Sequence, residues 1–200
     1  MGQETWLRLT AIVVFVVGMA ISMRYRHRSE SQGEKVPWRE EGWFIMIMLR
    51  VCGMGLWLSL LLYFAYPKAL AWATLPQIPM SVRWGAIGVA VVMVPCLAWM
   101  FHSIGNNITQ TVALRKNHQL VTHGPYRWIR HPLYTFGSLN FLAYAVVAAN
   151  WFIMMWAGLG FIILMIRLPK EEAKLIERFG QEYIDYKKRT GALFPKLMGT

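Results

Sequence analysis

Between residues 102 and 132 the chain crowds together side chains suited to holding a small polar molecule: His102, Asn106, Asn107, His118, His123, Tyr126, Arg127, Arg130 and His131. The centre of this stretch reads HQLVTHGPYRWIRHPLY. Imidazoles and amides offer both donors and acceptors, and a guanidinium presents a planar fork that matches a carboxylate. A second concentration of charge begins at Arg167, in RLPKEEAKLIERFGQEYIDYKKRTGALFP, and places Glu171 and Glu172 close behind that arginine. The plainest account of the first stretch is a connecting loop with a Gly124-Pro125 turn and arginines that mark one side of a membrane. Zinc is disfavoured, since the histidines lack a four-ligand spacing and form no H-E-x-x-H. Gly158 and Gly160 lie in an apolar run and form no G-x-G-x-x-G, which argues against a soluble dinucleotide fold.

The elements that must position these groups are apolar helices. Of the 200 residues 56% are hydrophobic and 16% charged, a balance suited to lipid-embedded helices. The net charge of +11 would suggest nucleic acid in a soluble chain. Here the basic residues fall between apolar runs, as membrane topology requires, so no nucleic-acid partner is expected. Cys52 and Cys96 lie within apolar runs, form no C-x-x-C and read as small core residues. The first apolar run ends in Arg24, Arg26 and Arg28, with no small-residue cleavage site, and is expected to be retained. Trp6 stands where a myristoylation signal needs Ser or Thr.

Apolar stretches cover residues 6–23, 42–66, 84–101 and 133–166. The loop after the first carries Arg24, Arg26, Arg28, Lys35 and Arg39, whereas 67–83 holds only Lys68 and Arg83. The positive-inside rule then puts the first loop in the cytoplasm and the N-terminus outside. The basic tail must also be cytoplasmic, so residues 133–166 have to cross an even number of times. One straight helix of that length would run about 50 Å against a hydrocarbon core of about 30 Å. A hairpin turning near Ala149, Asn150 and Trp151 satisfies both length and charge. The expected fold is all-α: five transmembrane helices, the last two a hairpin, then a cytoplasmic amphipathic helix. That last helix is expected to start at Pro169 and to bury Leu175, Ile176, Phe179, Tyr183 and Tyr186 on one face. Within the spans, Arg50 reads as a cation reaching the interface or facing a pocket, and Pro95 as a tolerated kink.

Together the two charged stretches, separated by a hairpin-sized apolar run, resemble the isoprenylcysteine carboxyl methyltransferase family of integral membrane enzymes. The resemblance covers residues 106–195, nearly half the chain. It divides the chain into an N-terminal three-helix membrane region, 1–105, and a cofactor-binding and catalytic region, 106–200, within one structural domain. It implies transfer of a methyl group from S-adenosyl-L-methionine to the carboxylate of an isoprenylated cysteine-like or other lipophilic acceptor that enters from the bilayer. Carried over position by position, it implies a cofactor pocket of His118, Leu120, Val121, Gly124, Tyr126, His131 and Glu172, and an acceptor carboxylate set by Arg130, Arg167 and Glu171. No metal is implied. The chemistry of the groups is compatible: a carboxylate acceptor is already ionised at neutral pH and needs positioning more than a base.

Two other classes share some of these features. Membrane sterol reductases have a related C-terminal pattern and would use NADPH, but need more spans than 200 residues provide. A non-enzymatic membrane scaffold would explain the spans but not two short segments crowded with His, Arg, Glu and Tyr.

Overall fold

The computed structural model describes residues 2–31, 43–105 and 120–196. Six α-helices account for most of them: α1 (Gln3–Ser31), α2 (Trp43–Ala65), α3 (Met80–Ile104), α4 (Pro132–Ala148), α5 (Trp151–Phe179) and α6 (Gln181–Arg189). Short 3-10 turns span Pro67–Ala73 and Gly124–Arg127. Among the described residues no β-strand forms, and backbone pairing outside helices is limited to the isolated bridges Thr74 with Asn150 and Ile129 with Gly191.

The chain is an integral membrane protein. α1, α2, α3 and α5 are long and apolar enough to cross a bilayer, and α4 is an apolar helix of 17 residues, about 26 Å at 1.5 Å per residue. Helices suit this environment because each satisfies its own backbone polar groups. Val13, Val16, Val91, Val92, Leu58 and Ile162 remain exposed on the outer surfaces, as lipid-facing positions do.

The helices are held by close packing and edge-to-face rings. α3 packs along α4, α2 along α5, and α1 against α3. The core gathers Leu7, Ala11, Leu60, Ala90, Ala145 and Ile153, with Phe15 edge-on to Trp57, Phe64 and Tyr144 at 5.0–5.3 Å. Gly55 lets α2 approach α5: a Cβ there would sit 2.5 Å from Cε2 of Trp156. Small residues admit this contact where lipid supplies no hydrophobic drive between helices.

The hairpin turns at the residues expected. Ala149 takes a left-handed conformation, φ 46°, and the Asn150 side chain accepts from the amide of Ile153 at 3.2 Å, capping α5. Its Nδ2 donates to the carbonyl of Leu70 at 3.0 Å, and the Leu75 amide donates to the Ala149 carbonyl at 2.6 Å, so the α2–α3 connection is stapled to the turn. At the same end of the bundle, buried Arg83 of α3 donates through Nε to the Val147 carbonyl at 2.8 Å and through Nη2 to Glu4 at 2.9 Å, joining α1, α3 and α4.

The tail departs from expectation. Pro169 does not start a helix; it lies inside α5, which continues to Phe179. A proline removes one backbone hydrogen bond but does not force a stop, and α5 beyond it is tied to α4 through Glu171 and to the residues just before α4 through Glu172. The break falls instead at Gly180, φ 55°, a conformation that glycine adopts without strain. α6 follows, with Tyr183 and Tyr186 buried, while Leu175, Ile176 and Phe179 are half-buried on α5.

Candidate functional site

The site forms where the N-terminus of α4 meets the distal half of α5, α6 and the segment after it. Pro132 opens α4, its missing N–H being no loss at a first helical position, and this sets His131 and Arg130 at the helix entrance. On α5, Arg167 stands one turn before Glu171, so the two share a face.

Glu172 is the hub. Its side chain is 7% exposed and its Oε1 receives Arg130 Nε at 2.8 Å and Nη2 at 2.7 Å, while Oε2 receives Lys187 Nζ of α6 at 2.6 Å. A carboxylate buried this far is tolerated because cations and charge-assisted hydrogen bonds replace its water. Arg130 Nη1 also donates to the carbonyls of Thr190 and Lys187. The His131 imidazole stands between the two acids, Nε2 3.5 Å from Glu172 and Nδ1 3.9 Å from Glu171, and stacks on Tyr134 at 5.4 Å. The Tyr134 hydroxyl donates to Glu171 Oε2.

A backbone strap closes the site. The amides of Arg130 and His131 donate to the carbonyls of Gly191 and Ala192 at 2.9 and 3.0 Å, and Gly191 returns a bond to the Trp128 carbonyl at 3.1 Å. Thr135 Oγ1 donates to the Leu193 carbonyl at 2.8 Å. Gly191 is needed there, since a Cβ would fall 1.7 Å from the Phe194 carbonyl oxygen. The Tyr186 hydroxyl donates to the Tyr126 carbonyl at 2.6 Å, tying α6 to the Gly124–Arg127 turn; burial pushes this hydroxyl up to about 12, so it remains a donor at neutral pH.

The expected residues therefore fall into groups. Arg130, His131, Glu171 and Glu172 converge in one cluster, with Arg167 beside it on α5. Val121, Gly124 and Tyr126 line the end of α3: Val121 and Tyr126 pack with Leu97, Met100 and Phe101, and Gly124, φ 62°, lies so close to α3 that a Cβ would meet Ser103 Oγ at 2.1 Å. Leu120 is half-buried at the start of this segment. His118 lies outside the described residues, as do Asn106 and Asn107. Lys187, Tyr134 and the strap were not anticipated. Lys187 reads in sequence as one of several tail cations, Tyr134 as an interfacial aromatic, and carbonyls have no sequence signature.

The donor set fits a cofactor that carries a carboxylate, an amine, hydroxyls and a purine. Acid, guanidinium and ammonium groups meet in one cluster, Val121 and Tyr126 supply apolar surface at the end of α3, and the buried His131 Nε2 has no close hydrogen-bond partner among the described residues, its nearest acid lying beyond good hydrogen-bond length.

Residues 81–182 match the family described as phospholipid methyltransferase. Protein-S-isoprenylcysteine O-methyltransferase of Mus musculus is 33% identical over 64% of this chain and 46% of its own length, and that of Homo sapiens 31% identical over 74% and 51%. The chain thus spans about half the length of these relatives. A solved structure of the eukaryotic intramembrane Ras methyltransferase, isoprenylcysteine carboxyl methyltransferase, aligns with TM-score 0.57 and 18% identity, covering 98% of this chain and 72% of that one. Its all-helical membrane fold is the fold found here.

Proposed function

The chain belongs to the phospholipid methyltransferase family, and from that premise we propose that it is an S-adenosyl-L-methionine-dependent methyltransferase embedded in the membrane, acting on the carboxylate of an isoprenylated cysteine-like or other lipophilic acceptor. The observation that carries this reading is the meeting of Arg130 and His131 with Glu171 and Glu172, groups from two distant segments, at one end of an apolar bundle.

When bound, the cofactor supplies an electrophilic methyl group. His118, Leu120, Val121, Gly124, Tyr126, His131 and Glu172 are proposed to hold it, with Glu172 kept anionic by Arg130 and Lys187. Arg130, Arg167 and Glu171 are proposed to position the acceptor. Arg130 links the two sets: a guanidinium has five N–H donors, enough to hold Glu172 and the Thr190 and Lys187 carbonyls and still present one to an acceptor carboxylate. Tyr134 fixes the Glu171 carboxylate through its hydroxyl. An ionised acceptor needs no proton removed, so this site is suited to orientation.

We place the cluster on the cytoplasmic face, with five crossings and the N-terminus outside, on the bias of Lys and Arg in the sequence. Residues 1–105 supply the membrane frame and 106–200 the chemistry, and the acceptor reaches the site from the lipid. The test is thermal unfolding of the purified protein in a membrane mimetic with S-adenosylhomocysteine, with NADPH and with neither. Stabilisation by S-adenosylhomocysteine alone is expected, by about 2.7 kcal/mol at one hundred times its Kd. A shift with NADPH and none with S-adenosylhomocysteine would sink the assignment in favour of a reductase.

A further inference from the structure

Deep in the bundle, Asn140 and Tyr144 lie one turn apart on α4 and so share a face. Both are enclosed, Asn140 at 9% exposure and Tyr144 at 1%. Among the described residues, neither Asn140 Oδ1 nor the Tyr144 hydroxyl has a hydrogen-bond partner. Polar atoms left unpaired at membrane depth are costly, because no bulk water reaches them.

The aromatic rings packed against Tyr144 offer its hydroxyl no partner. The Tyr144 ring is walled by Phe15 of α1 at 5.3 Å and Phe64 of α2 at 6.5 Å, both edge-on, and neither carries a donor or acceptor. Side chains on a helix lean toward its N-terminal turn, which carries the Tyr144 hydroxyl toward Asn140. The hydroxyl can donate and the amide oxygen can only accept, yet the two do not bond to each other. One small group that accepts from the first and donates to the second satisfies both, and a hydroxyl does this. The pair is separate from the charged cluster: nine residues of helix, about 14 Å, divide Asn140 from His131.

We propose that Asn140 and Tyr144 form an intramembrane binding site for a single hydroxyl group, carried by an alcohol with an apolar tail or by a buried water. This site stands whatever reaction the charged cluster performs.

The experiment is a double-mutant cycle on the full chain in phosphatidylcholine nanodiscs, comparing the Tm of wild type, Asn140→Leu, Tyr144→Phe and the double variant. Each single substitution is near-isosteric and is expected to fold with a Tm several degrees lower. The double is expected to be no lower than the worse single, because one bridging group serves both atoms. Dodecanol and dodecane then identify the source. A Tm rise with dodecanol alone that Tyr144→Phe abolishes assigns the hydroxyl to a lipid alcohol; equal response to both, with the cycle still non-additive, assigns it to water. A density map that shows ordered water should have one peak in reach of both Tyr144 Oη and Asn140 Oδ1. Additive losses in the cycle, or direct contact between the two atoms in that map, overturn the proposal.

Discussion

Arg130 and Glu172 form a pair in which both side chains are 7% exposed, so neither can lose its partner cheaply. Removing one member of such a pair leaves an uncompensated buried charge, a cost of about 3–5 kcal/mol. Arg130→Lys keeps the charge but cannot reach Glu172 and the Thr190 and Lys187 carbonyls together. We expect turnover to fall tenfold or more while S-adenosylhomocysteine affinity changes little, as seen by comparing steady-state rates with calorimetric Kd values. Loss of binding with normal turnover per bound cofactor would move Arg130 wholly into the cofactor site. Glu171 tests the nature of the acceptor. If that acceptor is a carboxylate, Glu171→Gln should lower the rate through poorer positioning and leave the pH profile near neutrality unchanged; a thiol or amine acceptor that relies on Glu171 as base would instead shift the profile. The four clustered residues were legible in the sequence because two motifs carried them. Lys187 was not, since nothing distinguishes it from Lys188, yet Lys187 reaches Glu172 and Lys188 reaches Asp185 at the surface. Arg83 reads in sequence as a charge between two spans and is instead buried in α3 against Glu4 and the Val147 carbonyl.

Among the elements, the hairpin was legible and the end of α5 was not, for physical reasons that differ. Length against bilayer thickness forces a turn in 133–166, and Ala149 and Asn150 are the residues that can make it. No comparable constraint acts on residues past the membrane, where Pro169 suggests a start although the helix continues. What keeps α5 in place at its other end is Asn150, 2% exposed, which caps the helix and holds the Leu70 carbonyl. Asn150→Ala should remove both bonds and lower stability by about 2 kcal/mol, the cap and an orphaned carbonyl together. Asn150→Asp retains the cap oxygen and loses only the donor, so it should recover part of the loss in chemical or thermal unfolding. Equal stability of Asn150→Ala and wild type would mean that the turn is held by packing alone.

Taken as a whole, the molecule has two polar closures at opposite ends of one apolar bundle: Glu4 with Arg83 at one, and the Glu172 cluster with its strap at the other. The second closure includes three buried tyrosines, Tyr126, Tyr183 and Tyr186, with Tyr186 tying α6 to the Gly124–Arg127 turn and Tyr183 edge-on to Tyr186. Burial raises all three hydroxyls, Tyr186 up to about 12 and the other two higher still, whereas an unfolded tyrosine ionises near 10. A group raised in the folded state binds its proton more tightly there than in the unfolded chain. Its contribution is fully present below pH of about 10 and is lost as pH rises through the folded value, at about 1.4 kcal/mol per pH unit per tyrosine. Stability measured by unfolding in a membrane mimetic should therefore be insensitive to these groups between pH 6 and about 9 and fall steeply between about 10 and 12. Tyr186→Phe isolates one of them. At pH 7 the variant should be less stable by about 1 kcal/mol, the worth of the bond to the Tyr126 carbonyl. As pH rises from about 10 toward 12 the difference should close and then reverse, because wild type alone loses about 1.4 kcal/mol per pH unit through Tyr186. Parallel curves for the two proteins through that window would show that the tyrosine seal ionises as freely in the folded state as in the unfolded one, and that the closure of the site rests on the ion pairs alone.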